Sequence, residues 1–246
     1  MNRGSPTCPA DPGAPAEIVP MPVLVIGGQG NSDPAAMPLG NEDREWEKGG
    51  VRRARVGARI VELYGRVLAA GDRVDADFVI PPARRSCGPL TGDRIRRGLI
   101  VMTTLPNIHK NACSAQIVRT EALARAHLPE AEVMHVASDG CENWCELDHF
   151  HGEVRAAGYS LDGCADADVF RVAFGVGVRG SARIARGLFA LHRGVVLAAD
   201  VPENQGRTPD VERFIERVRS LLSLAHPDED PGDMRGGGSD SVLTQL

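Results

Sequence analysis

The sequence predicts an α/β domain with a mixed central sheet, spanning about residues 57 to 225. Two apolar segments, 98–105 and 132–137, have the continuous hydrophobic character of strands buried on both faces. Between them, residues 113–128 place apolar side chains at a helical period, and Pro129 ends that pattern. A strand, a helix and a second strand in this order are typical of α/β domains.

Shorter patterns predict the elements around this centre. They are a hairpin of residues 58–64 and 66–70 turning at Gly65, a short strand at 77–80, a helix at 142–157 ended by Gly158, a short helix at 167–174, a second hairpin of 188–191 and 195–201, and an amphipathic helix at 209–224. A hairpin and a helix at the end of an alternating α/β pattern indicate that the sheet contains both parallel and antiparallel strands.

Composition excludes several classes of protein. The 246 residues carry a net charge of −5, which argues against a nucleic-acid binder. No stretch approaches the ~20 apolar residues of a membrane helix, and none has the layout of a signal peptide, so we expect a cytoplasmic protein that binds no membrane. Residues 1–56 hold 8 of the 17 prolines and 8 of the 28 glycines, which predicts a disordered N-terminal extension; residues 226–246 predict a disordered tail.

The most informative segment runs from residue 99 to 116. A buried strand ends at Pro106, and Cys113 falls in the first turn of the predicted helix that follows. Free N–H groups and the helix dipole stabilise a thiolate at such a position, so we expect the thiol pKa to be lowered, further so by Lys110. Open α/β sheets also place reactive groups at the carboxyl edge of a central strand. The alternative is that Cys113 is a small buried apolar residue at the start of a helix.

Around this cysteine the chain resembles a known family. Six segments occur in the same order and spacing as motifs of that family. The first are VELYGRVLAAGD (61–72) and ADF (76–78), and PNI (106–108) followed by Cys113 resembles "PSIDTxVC". Further on, VASD (136–139) resembles "IS.D", AFGV (173–176) resembles "AYGV", and RGLF (186–189) comes last. On these motifs residues 59–222 resemble the bacterial thiol peroxidases, which are atypical two-cysteine peroxiredoxins of the thioredoxin fold.

The resemblance implies a thioredoxin fold with an N-terminal β-hairpin and a peroxidase activity. It implies that Cys113 is the nucleophile that a peroxide oxidises to a sulfenic acid, that Pro106 shields it, and that Lys110 with Arg186 or Arg171 supplies positive charge. The implied substrates are hydrogen peroxide or alkyl hydroperoxides, and the implied reductant is thioredoxin or a similar dithiol. We expect no cofactor and no metal, and a homodimer is compatible with this family.

Two departures from the family pattern affect the predicted site. The Thr or Ser three residues before the cysteine is replaced by Lys110, which has no acceptor for a peroxide proton. An arginine nine residues before the glycine of "AYGV" is replaced by Asp166, so Arg171 and Arg186 are its candidate substitutes. A carboxylate near a thiolate raises the thiol pKa. We therefore expect a slow peroxidase or an inactive one.

The resolving cysteine of the family has no direct counterpart. The family position aligns with His151, whereas Cys141 and Cys145 lie earlier on the same predicted helix, four residues apart and on one face. Either cysteine is a candidate to resolve the sulfenic acid of Cys113, and both are equally compatible with ordinary structural thiols.

Two other constellations define alternative functions. Cys141, Cys145, His149 and His151 have ligand types for zinc or copper at near-helical spacing, which would make the chain a metal-binding or redox-inactive thioredoxin-like module. Residues 175–180 match the G-x-G-x-x-G fingerprint, with Asp200 twenty residues further on, as in an NAD(P)-dependent oxidoreductase. That fingerprint requires a strand before it and a helix after it.

Overall fold

The computed structural model describes residues 52–84, 88–144 and 154–225. Its strands are β1 (Arg52–Val56), β2 (Arg59–Tyr64), β3 (Val79–Ile80), β4 (Pro82–Arg84), β5 (Leu90–Thr91), β6 (Leu99–Leu105), β7 (Glu132–Ala137), β8 (Ala157–Ser160), β9 (Gly177–Val178), β10 (Gly187–His192) and β11 (Val195–Asp200). Its helices are α1 (Gly92–Ile95), α2 (Asn111–His127), α3 (Ala167–Phe174) and α4 (Val211–Ala225), and residues 141–144 are also helical.

A mixed six-stranded sheet forms the centre of the fold, in the order β11-β10-β6-β7-β8-β4. Strands β6, β7 and β8 run parallel, while β10 and β11 on one side and β4 on the other are antiparallel to their neighbours. The predicted mixed sheet flanked by helices is confirmed. All seven residues of β6 are buried, which agrees with the continuous apolar run that predicted this strand.

The two faces of the sheet have separate hydrophobic cores. One face packs against α3 through a cluster of aromatic rings: Phe78, Phe170, Phe174 and Phe189. On the other face, α2 and α4 cover β6, β10 and β11 through apolar side chains such as Val101, Ala124 and Ile215. Helix α2 therefore lies directly over the central strands, and its first turn sits at their carboxyl edge.

An N-terminal hairpin is present and its predicted strand at 58–64 is confirmed as β2, but the predicted second strand at 66–70 and the turn at Gly65 are wrong. Strands β1 and β2 pair antiparallel around Gly57, whose φ is 62°, and residues 66–69 form no strand. Gly65 has a different role: a Cβ there would lie 2.7 Å from the Val172 carbonyl oxygen, so glycine permits close approach to α3. The predicted domain boundary was residue 57, whereas β1 begins at Arg52.

The predicted helix at 142–157 is wrong at its C-terminal end. Residues 157–160 form β8, which is buried between β7 and β4. Gly158 does not end a helix; a Cβ on it would lie 2.8 Å from the Trp144 ring and 3.0 Å from Arg84 Cβ. The glycine is thus needed for packing across the sheet. Residues 145–153 of this prediction lie outside the described residues, as do residues 1–51 and 226–246.

Several other predictions are confirmed closely. The strand at 132–137 and the helix at 167–174 have the predicted bounds, and the last hairpin and helix are within two residues of theirs. Within the described residues, no helix has the length and apolar character needed to cross a membrane.

Candidate active site

Cys113 is the third residue of α2, where the chain leaves the carboxyl end of the central strand β6. Lys110 is the N-cap residue of this helix, with extended backbone and no side-chain cap. The Cys113 N–H donates to the Lys110 carbonyl oxygen at 2.7 Å, which closes the first turn. The predicted position of Cys113 in the first turn of a helix is confirmed.

The environment of the Cys113 thiol differs from the expectation. Its side chain has 0% exposure and packs in an apolar cluster with Leu105, Ile108, Ile117 and Trp144. Burial raises the pKa of this thiol above its ordinary value, more than the nearby positive charge lowers it. The expectation of a lowered pKa is therefore wrong for this state, because desolvation of the thiolate outweighs the favourable groups.

Arg186 is the positive group that contacts the thiol. It immediately precedes β10, whose first residue pairs with Thr104 of β6, so the guanidinium lies beside the end of β6. Its side chain is 2% exposed, and Nη2 donates to Cys113 Sγ at 3.1 Å. This hydrogen bond and the positive charge both lower the pKa of Cys113, against the larger effect of burial.

Two glutamines form hydrogen bonds with Arg186. Nη1 donates to the Ala112 carbonyl oxygen at 2.8 Å and to Gln116 Oε1 at 2.7 Å, while Nε donates to the Gln205 carbonyl oxygen at 3.1 Å. Gln116 also donates from Nε2 to the Gly187 carbonyl oxygen at 2.9 Å. Sequence reasoning missed both glutamines. Gln116 had a usable signal, because it lies three residues after Cys113 on the same face of α2.

The loop between β6 and α2 is fastened on two sides. Arg183 donates from Nη1 to the Pro106 carbonyl oxygen at 2.9 Å, and the Ile108 N–H donates to Asp139 Oδ2 at 2.9 Å. The negative charge of Asp139 contributes to the raised pKa of Cys113. Lys110 is exposed on this loop, so its ammonium is directed to solvent rather than buried with the thiol.

The other charged residues singled out from the sequence lie in different surroundings. Arg171 donates from Nη2 to the Ala182 carbonyl oxygen at 2.5 Å. Asp166 accepts from the Val79 N–H at 2.9 Å, on the side of the sheet that carries α3. Of the two candidate arginines, Arg171 and Arg186, the structure therefore brings Arg186 to the thiol.

The described cysteines besides Cys113 are Cys141 and Cys164. Cys141 is half-buried and packs against the apolar cluster that contains Cys113. Cys145, the other resolving candidate, lies outside the described residues, as do His149 and His151. Cys164 packs against the other hydrophobic core, the one that contains the aromatic rings, and its Sγ donates to the Val79 carbonyl oxygen at 3.4 Å.

The structure contradicts the dinucleotide-binding alternative and shows no metal site among the described residues. The dinucleotide fingerprint is wrong, because Gly175 is the left-handed C-cap of α3, with φ 61°, and Gly177 and Val178 form β9. The segment thus follows a helix and enters a strand, the reverse of the required context. In the three described segments, no group of three or more His, Cys, Asp or Glu residues is arranged to hold a metal ion.

Comparison with known proteins defines the fold. No protein-family model and no curated relative matches the sequence. Similar solved structures include the thiol peroxidase from Chromobacterium violaceum (14% identical, TM-score 0.59, covering 71% of this chain and 97% of that one). They also include a peroxiredoxin-like protein from Aquifex aeolicus (18%, TM-score 0.58, covering 70% and 99%) and Enterococcus faecalis AhpC (15%, TM-score 0.54, covering 67% and 99%).

These likenesses bear on the architecture of the chain. Nearly the whole of each neighbour is matched, so the similarity covers a complete domain rather than a shared motif. The chain therefore has the thioredoxin fold of the thiol peroxidases and peroxiredoxins, as the motifs in its sequence predict. Function has to be argued from the site itself, because one fold hosts many activities.

Proposed function

We propose that this protein is a thiol-dependent peroxidase in which Cys113 reduces hydrogen peroxide or an alkyl hydroperoxide. The observation that carries the proposal is the hydrogen bond from Arg186 Nη2 to Cys113 Sγ, 3.1 Å long and buried at the start of α2. A buried guanidinium that donates to sulfur stabilises a thiolate, and it offers a donor to negative charge that develops on a peroxide oxygen.

The proposed oxidation step requires the thiolate, the peroxide and one proton from the surrounding water. The Cys113 sulfur attacks one peroxide oxygen, an S–O bond forms and the O–O bond breaks. The sulfur is oxidised to a sulfenic acid, and the second oxygen leaves as water or an alcohol after it takes up a proton. Arg186 is placed to stabilise the negative charge as it moves from sulfur to the leaving oxygen.

In the proposed reductive half, a second thiol condenses with the sulfenic acid, which forms a disulfide and releases water. Cys141 and Cys145 are the candidates in this chain, and Cys141 already packs against the cluster around Cys113. A thioredoxin-like dithiol of the cytoplasm would then reduce the disulfide by exchange and become oxidised itself. The proposal also includes a homodimer of this chain, and a role for Pro106 in shielding the Cys113 thiol.

Burial of Cys113 adds a condition to the mechanism. Its sulfur has no exposed surface, so the first turn of α2 or the loop before it must open for a peroxide to enter. The same burial, with the raised pKa, favours a second candidate function, a redox-inactive thioredoxin-like module in which Cys113 is a structural thiol. The two candidates differ in whether the sulfur reacts with peroxide at all.

The experiment is a peroxide titration of the full chain with every cysteine mapped by mass spectrometry. One equivalent of hydrogen peroxide, followed by dimedone, should label Cys113 as a sulfenic acid or yield a disulfide that contains it. Cys113→Ser should abolish turnover with a dithiol reductant. Cys164→Ser is the matched control, because burial raises the pKa of that thiol too, but it bonds a carbonyl oxygen instead of an arginine.

The pH of the titration separates the two candidate functions. A peroxidase should oxidise Cys113 selectively at pH 7.5 and faster at pH 9.5, as the thiolate population increases. Cys113 that stays reduced at both values, while Cys164 is oxidised, would refute the peroxidase and support the structural module.

A further inference from the structure

The loop of residues 202–208, which follows β11, contacts the arginine of the proposed site. Gln205 in this loop is 5% exposed. Its Oε1 accepts from the Arg186 N–H, and its own carbonyl oxygen accepts from Arg186 Nε at 3.1 Å. One residue thus fixes both the backbone and the side chain of Arg186.

The second end of the Gln205 side chain is also bonded. Nε2 donates to the Pro202 carbonyl oxygen at 2.6 Å and to the Arg186 carbonyl oxygen at 3.4 Å. The side-chain amide of Gln205 therefore bonds its own loop at Pro202, and it bonds both the N–H and the carbonyl oxygen of Arg186. Each polar atom of this buried side chain has a partner, which favours one orientation of the amide.

The loop itself is anchored to the N-terminal hairpin. The Arg55 N–H of β1 donates to the Glu203 carbonyl oxygen at 2.6 Å, and the Gln205 N–H donates to the Arg55 carbonyl oxygen at 2.9 Å. At its other end, Thr208 Oγ1 donates to the Ala112 carbonyl oxygen at 3.4 Å. The segment is thus held by strand β1 on one side and reaches the first turn of α2 on the other.

From these contacts we propose that Gln205 is a positioning residue that holds the Arg186 guanidinium against the Cys113 sulfur. The inference rests on the proposed function, and it adds a residue that neither the sequence motifs nor the resemblance indicated. Gln205 acts through Arg186 and does not itself touch the sulfur.

The location of Gln205 gives it a separate importance. The other partners of Arg186, namely Ala112, Cys113 and Gln116, belong to α2. If the first turn of α2 opens to admit a peroxide, the bonds from Arg186 to Ala112 and Cys113 lengthen, whereas its bonds to Gln205 are made by a residue outside α2. Gln205 therefore keeps the guanidinium in place during the step in which charge develops, and a donor fixed in advance is more effective than one that must reorient.

The experiment measures the Cys113 thiolate without peroxide. The rate of Cys113 alkylation by iodoacetamide is followed by mass spectrometry from pH 6 to 10 in the wild-type chain and in Gln205→Met, which keeps length but removes the amide. We expect alkylation of Cys113 at pH 8 to fall about 3- to 10-fold in Gln205→Met, because a less fixed cation stabilises the thiolate less. The pH midpoint of the profile should move upward.

A matched control separates positioning from general damage to the loop. Asn204→Ala removes the bond from the Gly206 N–H to Asn204 Oδ1 in the same loop but leaves the contacts to Arg186 intact. Its alkylation profile should follow that of the wild-type chain. Gln205→Glu is the second variant: it keeps an oxygen acceptor for the Arg186 N–H but sets a negative charge beside the guanidinium, so Cys113 alkylation should again fall.

The outcomes are distinguishable from failure of the peroxidase itself. Gln205 variants that remain folded by circular dichroism and follow the wild-type alkylation profile would overturn the inference, as would an equal shift in Asn204→Ala. If Gln205→Met does not fold, Gln205→Asn, whose amide is one methylene shorter and adds no charge, decides by the same criterion. A shifted profile in a chain whose Cys113 does not react with hydrogen peroxide would support the positioning role and refute the proposed function.

Discussion

Replacement of Arg186 by methionine is the most direct perturbation of the proposed chemistry. The change removes the donor at 3.1 Å from Cys113 Sγ and a buried positive charge. A hydrogen bond to a charged group contributes about 1.5–3 kcal/mol, and each 1.4 kcal/mol corresponds to a factor of ten. We therefore expect Arg186→Met to lower the rate of Cys113 oxidation at fixed pH by about 10- to 100-fold.

The reaction can be followed in a single turnover by tryptophan fluorescence. Trp144 is fully buried in the apolar cluster that contains Cys113, so its emission should change when the sulfur is oxidised or the cluster opens. The chain has one other tryptophan, Trp46, and a Trp46→Phe background assigns the signal. Second-order rate constants come from stopped-flow traces at increasing hydrogen peroxide, with quenched samples mapped by mass spectrometry.

Controls must account for stability, because Arg186 also bonds the Ala112 carbonyl oxygen, Gln116 and Gln205. Buried acceptors that lose a donor cost about 1–3 kcal/mol each, so the melting temperature of every variant is needed. Arg186→Lys keeps the charge but cannot bond all these acceptors at once, and should react at an intermediate rate. Arg179→Met removes an exposed arginine whose ion pair with Glu62 lies away from this loop, and it should keep the wild-type rate. A folded Arg186→Met protein that reacts as fast as the wild-type chain would refute the reasoning.

Four further predictions concern pH, charge and packing. The rate of Cys113 oxidation should rise from pH 7 to beyond pH 9, because burial raises the pKa of the thiol and only the thiolate reacts; a plateau below pH 8 would contradict this. Asp139→Asn should raise that rate roughly 3-fold at pH 7.5, since it removes a negative charge while its amide oxygen can still accept from the Ile108 N–H; stopped-flow measurement of an unchanged or lower rate would count against it. Burial lowers the pKa of His135 to about 3, so the unfolded chain binds a proton that the folded chain excludes; urea titrations should show the free energy of unfolding falling by about 1.4 kcal/mol per pH unit from pH 6 to 4, and His135→Val should reduce that slope. Gly158→Ala should lower the free energy of unfolding by about 1–3 kcal/mol, because its methyl group would meet the buried indole at 2.8 Å; an unchanged melting temperature would argue against this packing.

The centre of the fold could be predicted because local pattern and tertiary environment agree there. Strand β6 is buried at all seven positions and apolar at five of them, because it is covered by helices on one face and by aromatic rings on the other. Helix α3 shows its bounds in the sequence, since Gly175 ends it in a left-handed conformation that glycine adopts without strain. The same agreement placed Cys113 in the first turn of α2.

The periphery could not be predicted, because its strands are defined by partners distant in sequence. Strand β1 reads RRARV, which has no apolar alternation, and it forms through pairing with β2 and contacts with residues 203–205. Strand β8 reads AGYS, and only its position between β7 and β4 makes it a strand. The small residue at Gly158 is required by the Trp144 ring above it, a contact that no local pattern indicates.

The same distinction explains what the sequence missed at the site. Arg171 and Arg186 were equivalent candidates until the antiparallel pairing of β10 with β6 placed Arg186 beside Cys113. The lowered pKa expected from the helix terminus failed because Trp144 and the residues packed with it remove the sulfur from water. Gln205 lies 92 residues after Cys113 on a different element and had no signal in the sequence.

Burial and the arginine contact act on different steps of the proposed reaction, so together they set how the enzyme would work. While α2 is closed, desolvation dominates and keeps Cys113 protonated, which protects the thiol from incidental oxidation. When the first turn opens, water lowers the cost of the thiolate, and the favourable effect of Arg186 then dominates. The arginine can do this because its bonds to Gln205 are made by a residue that lies outside α2. The rate of such an enzyme therefore depends on how often the first turn opens as well as on the chemical step that Arg186 assists, and a variant that loosens this turn without touching Arg186 should react faster than the wild-type chain.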